Sequence, residues 1–280
     1  MSGLLKFWRM GSSAPSAKTA FNFNRPVKRI LPRRRALAAF VLLSLAVGPS
    51  VGYAAEAQCP GGTVPPLNLS ATAAAVAAGR PVTILALGSS STAGVGASAP
   101  DKTYPAQLES MLRAGWPAGR VKVLNAGIGG QEADTEAARL HRDVLPSHPI
   151  LVIWQAGSNA ALRHMDQTLF RDALDKGLDA LAATGADVVL MDSQVAPRIE
   201  REPDHAVYGA AMADAAAAHH DALFSRDALM RQWQAQGAEG MIGPDGLHQS
   251  DRGYVCVASA LGKAILDAVT PREAQVGLHR

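Results

Sequence analysis

Short apolar runs alternate with longer amphipathic segments along most of the chain after residue 80. Five runs stand out, at 82–87, 121–124, 150–154, 187–191 and 222–224. Runs of this length, bounded by glycine, proline or polar residues, are typical of buried β-strands. The pattern therefore predicts five strands, each followed by a segment long enough to return to the same edge of a sheet.

The segments between these runs predict helices, because their apolar residues recur at spacings of three and four. The clearest helix is predicted over 167–183, with a buried stripe formed by Leu169, Leu174, Leu178 and Leu181. The other helices are predicted over 71–78, 104–114, 132–144, 205–220, 225–236 and 251–269. Strands that alternate with helices imply parallel strands joined by right-handed crossovers. The predicted fold class is α/β, a three-layer, doubly wound, flavodoxin-like parallel sheet of about five strands with helices on both faces.

The first 55 residues differ from the rest of the chain in charge. They contain nine of the 27 Lys and Arg residues and none of the 24 Asp and Glu residues. The remainder therefore has 18 basic residues against 24 acidic ones, a net charge of −6. The overall charge of +3 thus gives no reason to expect a nucleic-acid partner.

The same 55 residues have the order of a secretory signal. Three arginines at 33–35 precede an apolar run at 36–47, and small residues follow up to Ala55. The run is too short for a comfortable membrane span, so we expect cleavage near Ala55 and membrane contact only through this segment. An uncleaved anchoring helix is the alternative. Export predicts a periplasmic or secreted protein.

The predicted organisation has four parts. Residues 1–55 are a signal peptide with a long basic region, and 56–80 are an arm with a short helix. Residues 81–270 form one domain, and 271–280 are a C-terminal tail. We see no internal repeat and no sign of a second core.

The chain contains two cysteines, Cys59 and Cys256. An even number of cysteines in an exported chain permits a disulfide, which would tie the arm to the last predicted helix. On the chain-entropy account such a bridge would contribute about 4–5 kcal/mol, less any strain. Two unpaired thiols are the alternative.

Four loops carry the polar residues and glycines from which a catalytic site can be built. They read Gly88-Ser89-Ser90-Ser91-Thr92, Asn125-Ala126-Gly127-Ile128-Gly129-Gly130, Gln155-Ala156-Gly157-Ser158-Asn159 and Pro244-Asp245-Gly246-Leu247-His248. Taken singly, each loop is also typical of a polar turn or a helix cap. Three of them follow predicted strands, and such loops meet at one edge of a parallel sheet.

The residue types in these loops are those that a nucleophilic serine requires. Asp245 and His248, three apart in one turn, offer a base and a group to orient it. A glycine-rich loop offers backbone N–H donors, and Asn159 offers a side-chain amide for an oxyanion. The first strand is not followed by Gly-x-Gly-x-x-Gly, which disfavours a dinucleotide site. We find no metal-ligand cluster and expect neither a metal nor another cofactor.

The four loops, in this order and at this spacing, resemble the signature blocks of the SGNH (GDSL-type) hydrolases. The resemblance covers roughly residues 80–270. It implies that Ser90 is the nucleophile and that Asp245 and His248 complete a triad. It also implies an oxyanion hole formed by the backbone N–H groups of Ser90 and Gly130 and by the amide of Asn159.

The sequence departs from the family pattern at two positions. Ser89 stands where the family has an aspartate before the nucleophile, and Ala160 stands where it has an aspartate after the asparagine. Neither position belongs to the implied triad or oxyanion hole. The core chemistry is therefore expected to survive both changes.

The resemblance implies an exported serine esterase that cleaves an acyl or acetyl ester through an acyl-enzyme. The expected substrate is a small-molecule or glycan ester, such as an O-acetyl group on a polysaccharide, and the protein is expected to be a monomer. Five residues near the strand ends are candidates for substrate binding, with a core or surface position as the alternative: Ser89, Trp154, Gln155, Arg163 and Gln194. An acyltransferase, or a non-catalytic carbohydrate- or ligand-binding module that kept the fold, is the competing interpretation.

Overall fold

A computed structural model describes residues 59–116 and 120–270 of the 280-residue chain. The predicted signal segment, the cleavage position near Ala55 and the predicted C-terminal tail lie outside the described residues. Within the described part, no helix has both the length and the apolar character that a membrane crossing requires.

The five predicted strands form one sheet, and all of its neighbours run parallel. They are β1 Val82–Gly88, β2 Val121–Gly127, β3 Leu151–Gln155, β4 Asp187–Met191 and β5 Ala222–Phe224. The order β2-β1-β3-β4-β5 is the flavodoxin-like order, which confirms the predicted α/β fold. The chain adds β2 on one side of β1 and then adds β3, β4 and β5 on the other side. This reversal between β1 and β3 opens a crevice at the carboxyl ends of the two strands.

Ten α-helices lie in the described part of the chain. They are α1 Ser70–Ala77, α2 Ser90–Ala93, α3 Tyr104–Gly115, α4 Ala133–Ala138, α5 Ser158–Arg163, α6 Gln167–Ala182, α7 Pro197–Glu200, α8 His205–His219, α9 Arg226–Ala235 and α10 Asp251–Val269. One hydrophobic cluster joins the sheet to α1, α3, α9 and α10, and a second joins it to α4, α5, α6 and α8. Along β1, Ile84 and Ala86 belong to the first cluster while Leu85 and Leu87 belong to the second, because successive side chains of a strand point to opposite faces.

Two details of the predicted helices are wrong. The helix predicted over 132–144 ends after six residues at Ala138, and a π-helical turn follows over Leu140–Val144. Leu169 was expected in the buried stripe of α6 but is 59% exposed, and Phe170 takes its place. A shift of one residue rotates a side chain by about 100° around the helix, so Leu169 faces solvent when Phe170, Leu174 and Leu178 face the sheet.

Cys59 and Cys256 form a disulfide with their Cα atoms 5.3 Å apart, which confirms the predicted pairing. Cys256 is completely buried in α10, and Leu67 and Leu69 of the arm are also buried. The bond therefore fixes the arm against the helical layer formed with α10. It closes a loop whose ends are 197 residues apart.

Removing this bond with the double substitution Cys59→Ser and Cys256→Ala is expected to lower the free energy of unfolding by up to about 4–5 kcal/mol, because the unfolded chain regains the freedom that the long closed loop denies it. Denaturant unfolding of the two proteins measures the difference. Reduction of the unaltered protein should also raise its mass by about 2 Da, as two thiol hydrogens are added. Equal unfolding free energies and an unchanged mass would contradict the prediction.

Candidate active site

Ser90, His248 and Asp245 form one hydrogen-bonded row, which we call the Ser90 row. Ser90 Oγ lies 2.8 Å from His248 Nε2, and His248 Nδ1 lies 2.5 Å from Asp245 Oδ2. Ser90 follows β1, whereas the other two residues precede α10, so only the fold brings residues 158 positions apart into contact. The row connects a hydroxyl to a carboxylate through an imidazole, which is the arrangement that can take a proton from the serine.

The turn that carries Ser90 is possible because Gly88 has no side chain. A Cβ at Gly88 would overlap Thr92 Oγ1 and would lie 2.9 Å from the carbonyl oxygen of Gln155. Ser90 is the first residue of α2, so its backbone N–H has no acceptor within the helix. We find no acceptor for it among the described residues, and the N–H is therefore available to a ligand.

Helix α2 rests directly on the end of β2. A Cβ at Gly127 would overlap Ala93 N and would lie 2.6 Å from the carbonyl carbon of Thr92. Asn125 strengthens this contact, since its Nδ2 donates to Thr92 O at 2.8 Å and its Oδ1 accepts from Gly127 N at 2.9 Å. The end of β2, which the sequence predicts as a loop, therefore supports the helix that begins at Ser90.

The Asp245 carboxylate is held in place by its own turn. Its Oδ1 accepts the backbone N–H groups of Leu247 and His248, each at 3.0 Å, which leaves Oδ2 facing the imidazole. Partial burial raises the pKa of Asp245, but these hydrogen bonds and the His248 ring outweigh it and lower the pKa to about 2. Asp245 is therefore ionised at neutral pH and favours the imidazole tautomer with its hydrogen on Nδ1.

The two loops expected to supply further oxyanion donors meet beside Ser90. A Cβ built on Gly129 would lie 3.9 Å from Ser90 Cβ, so the glycine-rich loop runs alongside the serine. Asn159 Nδ2 donates to Gln131 O at 2.7 Å, which uses one of its two N–H groups and ties α5 to this loop. The backbone N–H of Gly130 has no acceptor among residues 59–116 and 120–270. The structure thus brings the loops that carry the expected donors to the same edge of the sheet, at the carboxyl ends of β1, β2 and β3.

Four of the five candidate substrate contacts are buried, which matches the alternative of a core position. Trp154 and Gln155 have no exposed surface, Gln194 is 1% exposed, and Ser89 is 3% exposed. Arg163 is the exception: its side chain is 54% exposed, and its Nη1 donates to Gly130 O at 2.7 Å.

Arg139, which carries no functional signal in the sequence, joins the ends of β1 and β2 next to the site. Its side chain is 4% exposed, and Nη2 donates to Gly88 O at 3.3 Å and to Ala126 O at 2.6 Å. Asp143 pairs with Nη1 at 3.2 Å. Helix α4 ends at Ala138, and Arg139 is its C-cap, whose side chain donates to the carboxyl ends of β1 and β2. The sequence places Arg139 within the longer helix predicted over 132–144, where an arginine is expected on the charged face.

Glu136 is a buried acidic residue of α4. Trp154 Nε1 donates to its Oε2 at 2.8 Å, and the side chain has no exposed surface. Burial raises the pKa of Glu136 to about 8, although the Trp154 hydrogen bond and the charge of Arg139 act to lower it. The carboxyl group is therefore mostly protonated at neutral pH.

Glu136→Gln is expected to make stability less dependent on pH. Folded Glu136 keeps its proton up to about pH 8, whereas the unfolded chain releases it above about 4.5, so this group's contribution is complete below 4.5 and is lost as pH rises to 8. Between these pH values the free energy of unfolding should fall by on the order of 3–5 kcal/mol. Glutamine does not titrate, so it avoids this loss while its amide oxygen still accepts from Trp154 Nε1. Denaturant unfolding at pH 5 and pH 8 measures it in both proteins. An equal change between the two pH values in each protein would refute this assignment.

Within the described residues, no group of three or more His, Cys, Asp or Glu side chains is arranged to hold a metal ion. His219 instead pairs with carboxylates of α6, with its Nε2 at 3.2 Å from Asp175 Oδ1 and its Nδ1 at 3.7 Å from Asp179 Oδ1. These contacts join α8 to α6 and involve no residue of the Ser90 row.

Comparison with solved structures finds the same fold in several esterases. A two-domain esterase (CEX) active on acetylated mannans, crystallised with mannopentaose, is 23% identical with a TM-score of 0.62 over 74% of this chain and 55% of the other. The acetyl xylan esterase AlAXEase is 21% identical with a TM-score of 0.57 over 65% and 99% of the two chains. A protein of the G-D-S-L family from Desulfitobacterium hafniense DCB-2 is 17% identical with a TM-score of 0.55 over 65% and 99%. The chain thus spans about half the length of the two-domain esterase, and at these identities the likeness concerns the fold.

The sequence comparisons give the family. No curated protein matches the chain. The sequence model of the non-GDSL lipase-like family matches residues 57–271, which include all five strands and every residue of the Ser90 row. This chain therefore belongs to the non-GDSL lipase-like family.

Proposed function

We propose that this protein is an exported serine esterase that hydrolyses an acyl or acetyl ester through a covalent acyl-enzyme. The observation that carries the proposal is the Ser90 row, with its contacts of 2.8 Å and 2.5 Å. Family membership supports ester chemistry, but a fold alone does not assign roles to residues. The roles proposed below therefore rest on the geometry of the side chains.

In the acylation step, Ser90 Oγ attacks the carbonyl carbon of the ester while His248 Nε2 takes the hydroxyl proton. The Asp245 carboxylate stabilises the resulting imidazolium through Nδ1–H. The carbonyl oxygen becomes an oxyanion, which the N–H groups of Ser90 and Gly130 and the free N–H of Asn159 stabilise. The bond to the alcohol oxygen then breaks, the alcohol leaves with the proton from His248, and the acyl group remains on Ser90.

In the deacylation step, water attacks the acyl carbon and His248 takes a proton from it. The second tetrahedral intermediate collapses, the carboxylic acid leaves, and the proton returns to Ser90 Oγ. The net reaction consumes one ester and one water and yields one acid and one alcohol. An alcohol in place of water would give acyl transfer from the same intermediate.

We propose an O-acetyl ester on a glycan as the substrate class. Support comes from two proteins that share the fold, which are described as active on acetylated mannans and as an acetyl xylan esterase. Arg163, exposed beside Gly130, is the candidate among the five predicted substrate contacts that remains accessible to such a ligand.

Export is part of the proposal. The Cys59–Cys256 disulfide is of a kind that persists in oxidising compartments outside the cytoplasm. The charge and hydropathy order of residues 1–55 supports removal of a signal peptide near Ala55. A periplasmic or secreted location would place the enzyme where polysaccharides of the cell exterior are accessible.

The proposal is tested with a panel of substrates on the chain that begins after Ala55. The panel contains nitrophenyl esters of increasing acyl length and acetylated mannan and xylan oligosaccharides, with acetate release as the readout. We expect the highest kcat/KM for acetyl esters, and we expect a fluorophosphonate probe to label the peptide that contains Ser90. A protein that neither hydrolyses nor becomes labelled would instead be a binding module. Acyl transfer to an added alcohol without net hydrolysis would identify an acyltransferase.

A further inference from the structure

Two buried glutamines each contact one half of the Ser90 row. Gln155 is the last residue of β3, and Gln194 lies in the loop after β4. Both are fully enclosed and contact the turns that carry the serine and the histidine. We propose that Gln155 and Gln194 are positioning residues that set the distance and alignment between Ser90 Oγ and His248 Nε2. This inference rests on the proposed esterase function.

Gln155 holds the turn on both sides of Ser90 through a single oxygen. Its Oε1 accepts from Ser89 N at 3.2 Å, from Ser89 Oγ at 3.1 Å and from Thr92 Oγ1 at 3.2 Å. Its Nε2 has no acceptor among the described residues, and the Ser89 backbone N–H, which can only donate, requires the amide oxygen at the end that faces the turn. The position of α2, and with it Ser90, therefore depends on this acceptor.

This contact gives a physical account of Ser89, which stands where the resembled family has an aspartate. A carboxylate enclosed at this point would lose its hydration, which costs several kcal/mol unless it is fully compensated. Here the acceptor is instead the neutral amide oxygen of Gln155, supplied from β3, and Ser89 contributes two donors to it. The pair Ser89 and Gln155 thus organises the turn without a buried charge.

Gln194 holds the turn that carries Asp245 and His248. Its Nε2 donates to Leu247 O at 2.9 Å, directly between those two residues in the sequence. Its Oε1 accepts from Ser158 Oγ at 3.0 Å, at the start of α5 and next to Asn159. Gln194 therefore links the turn that carries the imidazole to the helix that carries Asn159.

Gln155 contacts the serine turn through its amide oxygen, whereas Gln194 contacts the histidine turn through its amide nitrogen. The oxygen is the essential atom at position 155, because it accepts three hydrogen bonds from the serine turn. The nitrogen is the essential atom at position 194, because it donates to a backbone carbonyl. Glutamate keeps an acceptor oxygen at either position, and an enclosed carboxyl group takes the neutral form, as at Glu136, so it can also donate an O–H, whereas methionine keeps only the volume. A Gln→Glu substitution therefore distinguishes positioning by hydrogen bonds from simple filling of volume.

The experiment compares Gln155→Met, Gln155→Glu, Gln194→Met and Gln194→Glu with the unaltered protein. It measures kcat and KM for an acetyl ester and the rate at which a fluorophosphonate labels Ser90. We expect Gln155→Met and Gln194→Met to lower kcat and the labelling rate about 10- to 100-fold, with KM within about twofold, because misplacement of reacting groups acts mainly on the chemical step. Gln155→Glu and Gln194→Glu, with the enclosed carboxyl group in its neutral form, are expected to recover most of the activity lost in the methionine variants.

Gln232→Met is the matched control. Gln232 also accepts from and donates to backbone groups, those of Thr63, but it joins α9 to the arm and lies outside the site. Its kcat is expected to equal that of the unaltered protein. Circular dichroism identifies any variant that does not fold. For such a variant the milder Ser89→Ala or Ser158→Ala replaces it, with an expected loss in kcat of about two- to tenfold.

Two results would overturn the inference while the unaltered protein is active: unchanged kcat in folded variants at both glutamines, or equal losses in Gln155→Glu and Gln155→Met. The second result would mean that Gln155 fills volume only. An unaltered protein that is neither active nor labelled would instead contradict the proposed function. The failure of the inference and the failure of the function are therefore distinguishable.

Discussion

Ser90→Ala is expected to lower kcat for ester hydrolysis by on the order of 10⁴ to 10⁶, with KM close to that of the unaltered protein. The substitution removes the Oγ atom that lies 2.8 Å from His248 Nε2, and with it the atom that would carry the acyl group. Residues that act as one unit are strongly non-additive, so adding His248→Ala to Ser90→Ala should lower the rate little further. Initial rates of the single and double variants on one acetyl ester measure both effects.

The neighbouring serine provides the control for this prediction. Ser91 is buried and belongs to the same short helix as the half-buried Ser90, but it takes no part in the Ser90 row. Ser91→Ala is therefore expected to keep the kcat of the unaltered protein and to remain labelled by a fluorophosphonate. The proposed nucleophile would be wrong if Ser90→Ala kept more than a tenth of the activity. It would also be wrong if Ser91→Ala abolished labelling by the fluorophosphonate while Ser90→Ala was still labelled.

Asp245→Asn is expected to lower kcat by on the order of 10³ to 10⁴. Two backbone N–H groups, of Leu247 and His248, require an oxygen at the Oδ1 position. The asparagine would therefore place its NH₂ group at the Oδ2 position, facing His248 Nδ1. The imidazole would then accept at Nδ1 and carry its hydrogen on Nε2, where it could no longer take the Ser90 proton.

Measurement of kcat at neutral pH tests this prediction, and nitrogen NMR of the imidazole reports the tautomer directly. Asp166→Asn is the matched control, because Asp166 also accepts two backbone N–H groups, those of Thr168 and Leu169. It caps the start of α6, where asparagine caps equally well, so its kcat should not change. A tautomer unchanged in Asp245→Asn, or an activity within tenfold, would contradict the argument.

The hydrophobic pattern contains most of the information about this fold. Strands β1, β3 and β4 are almost entirely buried, so they read as continuous apolar runs. Strand β2 lies at the edge and is largely half-buried, which is why its last three residues, 125–127, looked like a loop. The four-residue helices α2 and α7 were not predicted, because helices this short depend on tertiary contacts rather than on their own sequence.

The site was predictable only as far as its residue types and their order. Ser90, Asp245 and His248 could be selected because each loop follows a familiar pattern, and the structure brings them into contact. The polar residues beneath them had no such signal. Gln155 follows an apolar strand and looked accessible, and Arg139 fitted the polar face of a helix. A buried polar side chain is identified by its partners, which come from distant parts of the chain.

The position of α10 has a consequence for the order of folding. This helix packs against α1 and α3, and its buried residues complete one hydrophobic face of the sheet. Those contacts join the first and last parts of the domain, so a growing chain cannot bury this face until residue 269 has been synthesised. His248, just before α10, reaches Ser90 at the same late stage. A chain that stops before Asp251 is therefore expected to expose this apolar face and to depend on chaperones, whatever the stability of its earlier strands.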